Sequence, residues 1–499
     1  MRSLPRLLLP LGLAALLTAA GCSKDKDVEP PATLVDFPQT LQVKKLWGEG
    51  VGGGKKQLVL RLGLGPAIDN GVVFAASHKG EVLAAELDTG RHIWLKNLKL
   101  PLSAGPGVGA GMVVVGSSKG VVVALDGSTG REVWRSRLNS ELLSAPAINQ
   151  KVVVLRSVDG RLHGLDAHDG RELWSVEQQV PRLSLRGTAT PIIAKEVAIS
   201  GFDNGKVMAV SLTTGDTVWD TALASPHGRT ELDRLVDVDS AVRTVGENVF
   251  ATGFQGRTAM LAIDSGQIWW AHDMSSYRGL AVDDDNLYVT QSDGIVVALR
   301  QRDGSELWRN DKMKLRRLTT PVLTSTAVIV ADFQGYLHWL DKTTGQLVAR
   351  QRVVKKELIS NAPVAAGDTV VVLTDRGKMV AYRATPGAAV PRGASKVPGV
   401  GKEKKPKAKK VKAPKGAKAA PPATPPAGAA PPPAAPAAAP ATPAAPATPA
   451  APATEPAAPP AEPAAPAETP PAEPATPPAQ PATPPAEPAT PPATPPPTP

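Results

Sequence analysis

The chain has 499 residues and a formal net charge of +10 at pH 7, a balance that would suit a nucleic-acid partner. Residues 396–418 hold ten Lys and one Glu, so this run carries nearly all of the excess. The rest is close to neutral and shows no recognition-helix or RNA-binding motif, which argues against nucleic acid. The single cysteine, Cys22, excludes an intrachain disulfide and a Cys-based metal cluster. The seven His lack metal-ligand spacing, so neither a metal nor a cofactor is expected.

Residues 1–21 have the layout of a signal peptide. Arg2 and Arg6 precede an apolar run, Leu7 to Ala20, that is too short to span a membrane. Ala19-Ala20-Gly21-Cys22 follows. It resembles the bacterial lipobox, with Ala19 where Leu is usual. The resemblance implies that Cys22 is acylated and becomes the mature N-terminus. Acyl chains on one residue supply the two or more anchors that stable attachment requires. Ser23 in the next position resembles lipoproteins that go to the outer membrane and face the periplasm. Residues 22–42 then form a linker.

Residues 43–383 contain a repeat of about 40 residues. A Gly opens an alternating apolar run, and a Thr-Gly or Asp-Gly pair is followed four residues on by Trp. Gly90 leads to Trp94, Gly130 to Trp134, Gly170 to Trp174, Gly215 to Trp219, Gly266 to Trp270 and Gly304 to Trp308. In the seventh unit, Gly345 leads to Ala349 instead. A small residue and Pro mark the start of six units, at Pro66, Pro106, Pro146, Pro191, Pro321 and Pro363. Each unit reads as four short strands with a glycine turn. The expected fold is all-β, an eight-bladed β-propeller of four-stranded blades.

The eighth unit, from Pro363 to Tyr382, lacks a fourth strand and a Trp, whereas Val43-Lys44-Lys45-Leu46-Trp47 stands alone upstream of unit one. One assumption resolves both: the Trp47 strand completes blade eight, closing the ring and removing two sheet edges. Trp47, Trp94, Trp134, Trp174, Trp219, Trp270 and Trp308 then read as structural, each packed between neighbouring blades.

The repeat is stretched around unit four, where the turn-glycine spacing widens to 45 at Gly215 and 51 at Gly266. The insertions fall at roughly 178–188 and 222–237 and should be neighbouring loops. The first contains Leu183, Leu185 and Arg186; the second ends with Asp237 and Asp239. Two readings stand: apolar anchors with charges for a protein contact, or leucines of the blade-edge core with aspartates capping a turn.

Taken together, the lipobox, the Trp-marked blades and the Leu-Ser-Leu-Arg-Gly and Asp-Val-Asp segments resemble the BamB lipoprotein family over residues 22–383. That family belongs to the machinery that folds β-barrel proteins into the bacterial outer membrane. The resemblance implies a scaffold without catalysis, docked on the barrel-forming subunit through one of its POTRA domains. It implies Leu183, Leu185, Arg186, Asp237 and Asp239 as the contacts.

Residues 384–420 form a Lys-rich linker, and 421–499 are Ala-Pro-Thr repeats with five Glu. Such a tail should be disordered, and at 3.1 Å per residue its last part could extend to about 240 Å. Its candidate partners are peptidoglycan or an anionic surface, which leaves an envelope tether as an alternative function. The other alternative is an enzyme. Trp-marked eight-bladed propellers also occur in quinoprotein alcohol dehydrogenases, which bind pyrroloquinoline quinone and Ca²⁺. Those typically stack the quinone on a vicinal disulfide, which one cysteine cannot form. No Gly-x-Ser-x-Gly nucleophile motif is present either.

Overall fold

The computed structural model describes residues 29–52, 63–185, 187, 189–355 and 357–387. The signal peptide, Cys22, Arg186 and the tail beyond residue 387 lie outside the described residues. The described chain is built of strands and turns, and thirty-two strands form eight four-stranded antiparallel sheets. These are the blades of an eight-bladed propeller.

Blade two shows how the sequence makes a blade. Its strands run Leu102–Gly109, Met112–Ser117, Val121–Asp126 and Glu132–Arg137, from the ring axis outwards. The middle strands are continuously apolar. Val113, Val114, Val115, Val122, Val123, Ala124 and Leu125 are all inaccessible to solvent, because both faces of the sheet pack against other blades. β-Branched residues suit such a surface. The outer strand instead alternates: Val133 and Arg135 are exposed on either side of buried Trp134.

The tryptophans explain the repeat. Trp134 of blade two donates its Nε1–H to Ala167 O of blade three, at 2.8 Å. Its ring lies against Gly170, where an added Cβ would come within 2.4 Å. Gly170 also has φ +76°, so the turn and the neighbouring indole both demand glycine there. The same pairing joins Trp47 to Gly90, Trp94 to Gly130, Trp174 to Gly215, Trp219 to Gly266, Trp270 to Gly304 and Trp308 to Gly345. Each indole bonds a carbonyl of the next blade at 2.7–2.9 Å. The Thr-Gly turn of one blade is thus shaped by the Trp of the blade before it.

Blade seven exchanges the two sizes. Elsewhere the residue paired with the outer-strand Trp is small, as in Ala124 with Trp134 or Gly164 with Trp174, with Met260 opposite Trp270 the exception. In blade seven Trp339 pairs with Ala349. The indole has moved to the adjacent strand and is completely buried, so the missing Trp is a relocated one.

Blade eight is completed by the upstream strand. Leu41–Gly50 pairs antiparallel with Lys378–Pro386, with Trp47 opposite Ala381. Trp47, Val371, Met379 and Ala381 of blade eight then pack with Val73, Leu83 and Leu87 of blade one as one apolar cluster. Before that strand, residues 29–40 cross blade seven. Ala32 N–H donates to Lys314 O and Thr40 N–H to Val348 O, both at 2.9 Å, while Arg350 stacks over Phe37 and donates to Val35 O.

Candidate partner-docking site

The two stretched connections meet. The first runs from the end of Glu172–Glu177 in blade three to Ile192–Ala194 in blade four. The second runs from Thr217–Ala222 in blade four to Arg243–Val245 in blade five. Both therefore lie on the face where each outer strand hands over to the next inner strand. Leu185 N–H donates to Asp237 Oδ2 at 3.1 Å, which ties the first loop to the second. The second loop is itself held to both flanking blades: Val238 N–H donates to Phe202 O at 3.1 Å and Phe254 N–H to Asp237 O at 2.7 Å.

Beneath these loops lies a buried charge cluster. Arg156, at the end of its strand in blade three, donates to Asp203 Oδ1 of blade four at 2.8 Å and to Ser157 O at 2.6 Å. Its guanidinium lies over the Phe202 ring, 4.4 Å from the centroid. Carboxylate oxygens of Asp203, Asp237 and Asp239 lie within 4.8 Å of one another. That spacing would suit a cation, and Arg156 already serves Asp203 as one. Burial raises the Asp203 pKa, and Arg156 opposes the rise. Asp237 is 0% exposed. Burial pushes its pKa up to about 9, with the neighbouring charges of Asp239 and Asp203 adding to the effect. Burial and the neighbouring carboxylates therefore favour the protonated form of Asp237, which accepts from Leu185 N–H through Oδ2.

Of the five residues implied by sequence, Leu183 is 42% exposed. Leu185 and Asp239 are partly covered, and Asp237 is inside. Arg186 lies outside the described residues. Gly187 is placed so that a Cβ would sit 2.4 Å from Asp239 Oδ2, so this loop follows closely on the carboxylate. The two readings of the leucines divide the residues between them: Leu235 is core, whereas Leu183 and Leu232, the latter 68% exposed, face solvent.

Leu232, Arg156 and Asp203 were not singled out from sequence. The signal for Arg156 was present. The equivalent strand ends in other blades are Ala76, Gly116, Gly201, Thr252, Thr290, Ala331 and Leu373, all uncharged. A lone Arg in that series marks a position whose compensating charge must come from another blade.

The described chain is thus a closed eight-bladed propeller with its two stretched loops gathered on one face. A family model described as outer membrane protein assembly factor BamB matches residues 78–310 and 292–392, and the chain belongs to that family. An outer membrane protein assembly factor BamB of Pseudomonas aeruginosa is 46% identical over 371 residues, covering 74% of this chain and 97% of the relative. The crystal structure of BamB from Moraxella catarrhalis is 26% identical with a TM-score of 0.62, covering 68% of this chain and all of that one. A quinohemoprotein alcohol dehydrogenase from Comamonas testosteroni, 12% identical with a TM-score of 0.53 over 68% of this chain and 76% of that one, shares the fold alone.

Proposed function

We propose that this chain is a non-catalytic scaffold lipoprotein of the outer-membrane protein assembly complex. It docks on a POTRA domain of the barrel-forming subunit and assists insertion of β-barrel proteins. Acylated Cys22 holds it on the periplasmic face of the outer membrane, seven residues ahead of Glu29, where the described chain begins. Family membership supports the assembly role. The observation that carries the docking site is the Leu185 N–H to Asp237 Oδ2 bond, which joins the two connections stretched around blade four.

The division of labour follows from burial. Leu183 contributes apolar surface to the partner, with Leu232 beside the same face. Asp237 is a positioning residue that holds the Leu185 backbone. Asp239 and Arg186 supply charge that sets the register. No chemistry is required of any of them.

Co-purification of the barrel-forming subunit from membranes tests the reading. Leu183→Ala should leave the fold within about 0.5 kcal/mol of wild type, as an exposed substitution, and should reduce the recovered partner. Leu185→Ala/Arg186→Ala should abolish recovery with an unchanged circular dichroism spectrum. Full recovery with both folded variants would move the contact to another part of the ring. Recovery of no such subunit with wild type would end the scaffold assignment.

A further inference from the structure

The inner strands of the blades leave a cavity of about 550 Å³ on the ring axis, opening on the face that carries the docking loops. Its wall includes Arg243 and Arg278 and, among the described residues, one carboxylate, Asp239. Arg243 begins the inner strand of blade five. A guanidinium has five N–H donors. Among the described residues, the bond Arg243 makes runs from Nη1 to the carbonyl of its neighbour Val242, at 3.1 Å. No described carboxylate lies within ion-pair distance of it. Burial alone acts on its charge, lowering its pKa without an opposing carboxylate. Arg156, Arg316 and Arg350, also deeply set, each have an aspartate acting to hold their charge or bonded to them.

A second polar group in the same wall lacks a partner. Ser144 is nearly buried, and its Oγ makes no hydrogen bond among the described residues. Three other hydroxyls lining the cavity are already donating: Ser240 to Thr252 O, Thr320 to Arg278 O and Ser360 to Asp375. Arg243 and Ser144 therefore both bring unused donor capacity to this wall. A charged fork and a hydroxyl facing a cavity of small-molecule size complement an oxyanion.

We propose that the axial cavity is a binding site for a small carboxylate- or phosphate-bearing molecule, anchored by the Arg243 guanidinium with Ser144 as a second donor. The site shares Asp239 with the docking face, but ligand binding can be tested on the isolated full chain without the partner.

Calorimetric titration of the full chain with citrate and with inorganic phosphate, against sodium chloride at matched ionic strength, is the test. One equivalent of saturable binding is expected, weakened at least ten-fold in Arg243→Gln and two- to five-fold in Ser144→Ala. The exposed Arg302→Gln should bind as wild type. Tighter binding of citrate identifies a carboxylate ligand, and tighter binding of phosphate a phosphorylated one. If Arg243→Gln fails to fold, Arg243→Lys is read instead; it keeps the charge but loses the planar fork, and should still bind several-fold more weakly. Absence of saturable heat, or equal affinity in the folded Arg243 variant, overturns the proposal. So does a third outcome: neither anion binds, yet Arg243→Gln reduces partner recovery from membranes. Arg243 would then read a carboxylate on the partner.

Discussion

Asp237 and His338 show how single buried residues couple this fold to pH, in opposite directions. Asp237 keeps its proton in the folded chain up to about 9, against 3.8 for an ordinary carboxyl. The folded state then binds more protons than the unfolded one between those values, so its contribution to stability is full below pH 3.8 and is lost as pH rises towards 9. His338 is completely buried between Asp332, whose Oδ2 lies 3.0 Å from its Nε2, and Arg350, which donates to its Nδ1. Burial lowers its pKa from 6.5, with the Asp332 carboxylate opposing and Arg350 and Arg316 adding to the fall. The unfolded imidazole takes up a proton below about 6.5 that the folded one refuses, so stability falls on acidification through that range. Asp237→Asn keeps an acceptor for Leu185 N–H and removes the titration. Melting temperature measured from pH 5 to 8.5 should decline less towards alkaline pH in this variant, with the acid limb unchanged. An identical profile would mean that Asp237 is ionised in the fold. Among the tryptophans, Trp134→Ala removes both an inter-blade hydrogen bond and the ring against Gly170. A cost of about 3–5 kcal/mol is expected from denaturant unfolding.

A blade tolerates one indole per cross-strand pair, and the two strands can share it in either order. Trp339 with Ala349 in blade seven is the mirror of Ala298 with Trp308 in blade six. The substitution Trp339→Ala alone should cost about 3–5 kcal/mol. Ala349→Trp alone crowds two indoles into one pair and should cost about 1–3 kcal/mol. The double variant restores the arrangement of the other blades and should be more stable than the sum of the two losses predicts. Strict additivity in equilibrium unfolding would show that the positions do not share space. The loops obey a different logic. The second stretched connection is anchored through Val238 and Asp237 to blades four and five, so its exposed Leu232 is presented from a fixed base.

The ring is held shut by its first described strand. Leu41–Gly50 completes blade eight, and Trp47 reaches over to Leu87 of blade one at 2.7 Å. Deleting residues 41–50 would leave two open sheet edges and expose the apolar cluster shared by blades eight and one. The single cooperative unfolding transition should be replaced by a broad one at lower denaturant, accompanied by association on sizing columns. A circular permutant that joins this strand directly behind residue 386 and opens the chain elsewhere should fold, because pairing rather than chain order closes the ring. The segment before the strand has its own fixed course over blade seven, through Ala32, Val35 and Phe37.

Much of the architecture was legible in the chain because its signals are local or recur at a fixed interval. Apolar runs mark the middle strands, the Gly of each Thr-Gly pair marks a turn, and Trp marks the outer strand. The orphan Trp47 strand and the incomplete eighth unit could be matched by counting, since a closed ring leaves no edge unpaired. The stretched spacing around blade four likewise located the loops that the structure brings together. What a repeat cannot encode is the exception to it. Trp339 opposite Ala349 depends on a cross-strand register. Arg156 finds Asp203 across a blade interface, and Asp237 reads as a surface acid until the loops close over it. Arg243 is one arginine among many until the ring leaves it facing a cavity with no described carboxylate at ion-pair distance from it. Strand and turn preferences act over a few residues, and the sequence alone determined the ring through them. Burial and charge compensation arise between residues tens of positions apart, so only the tertiary structure decided which side chains face a partner, which hold a loop, and which line the axis.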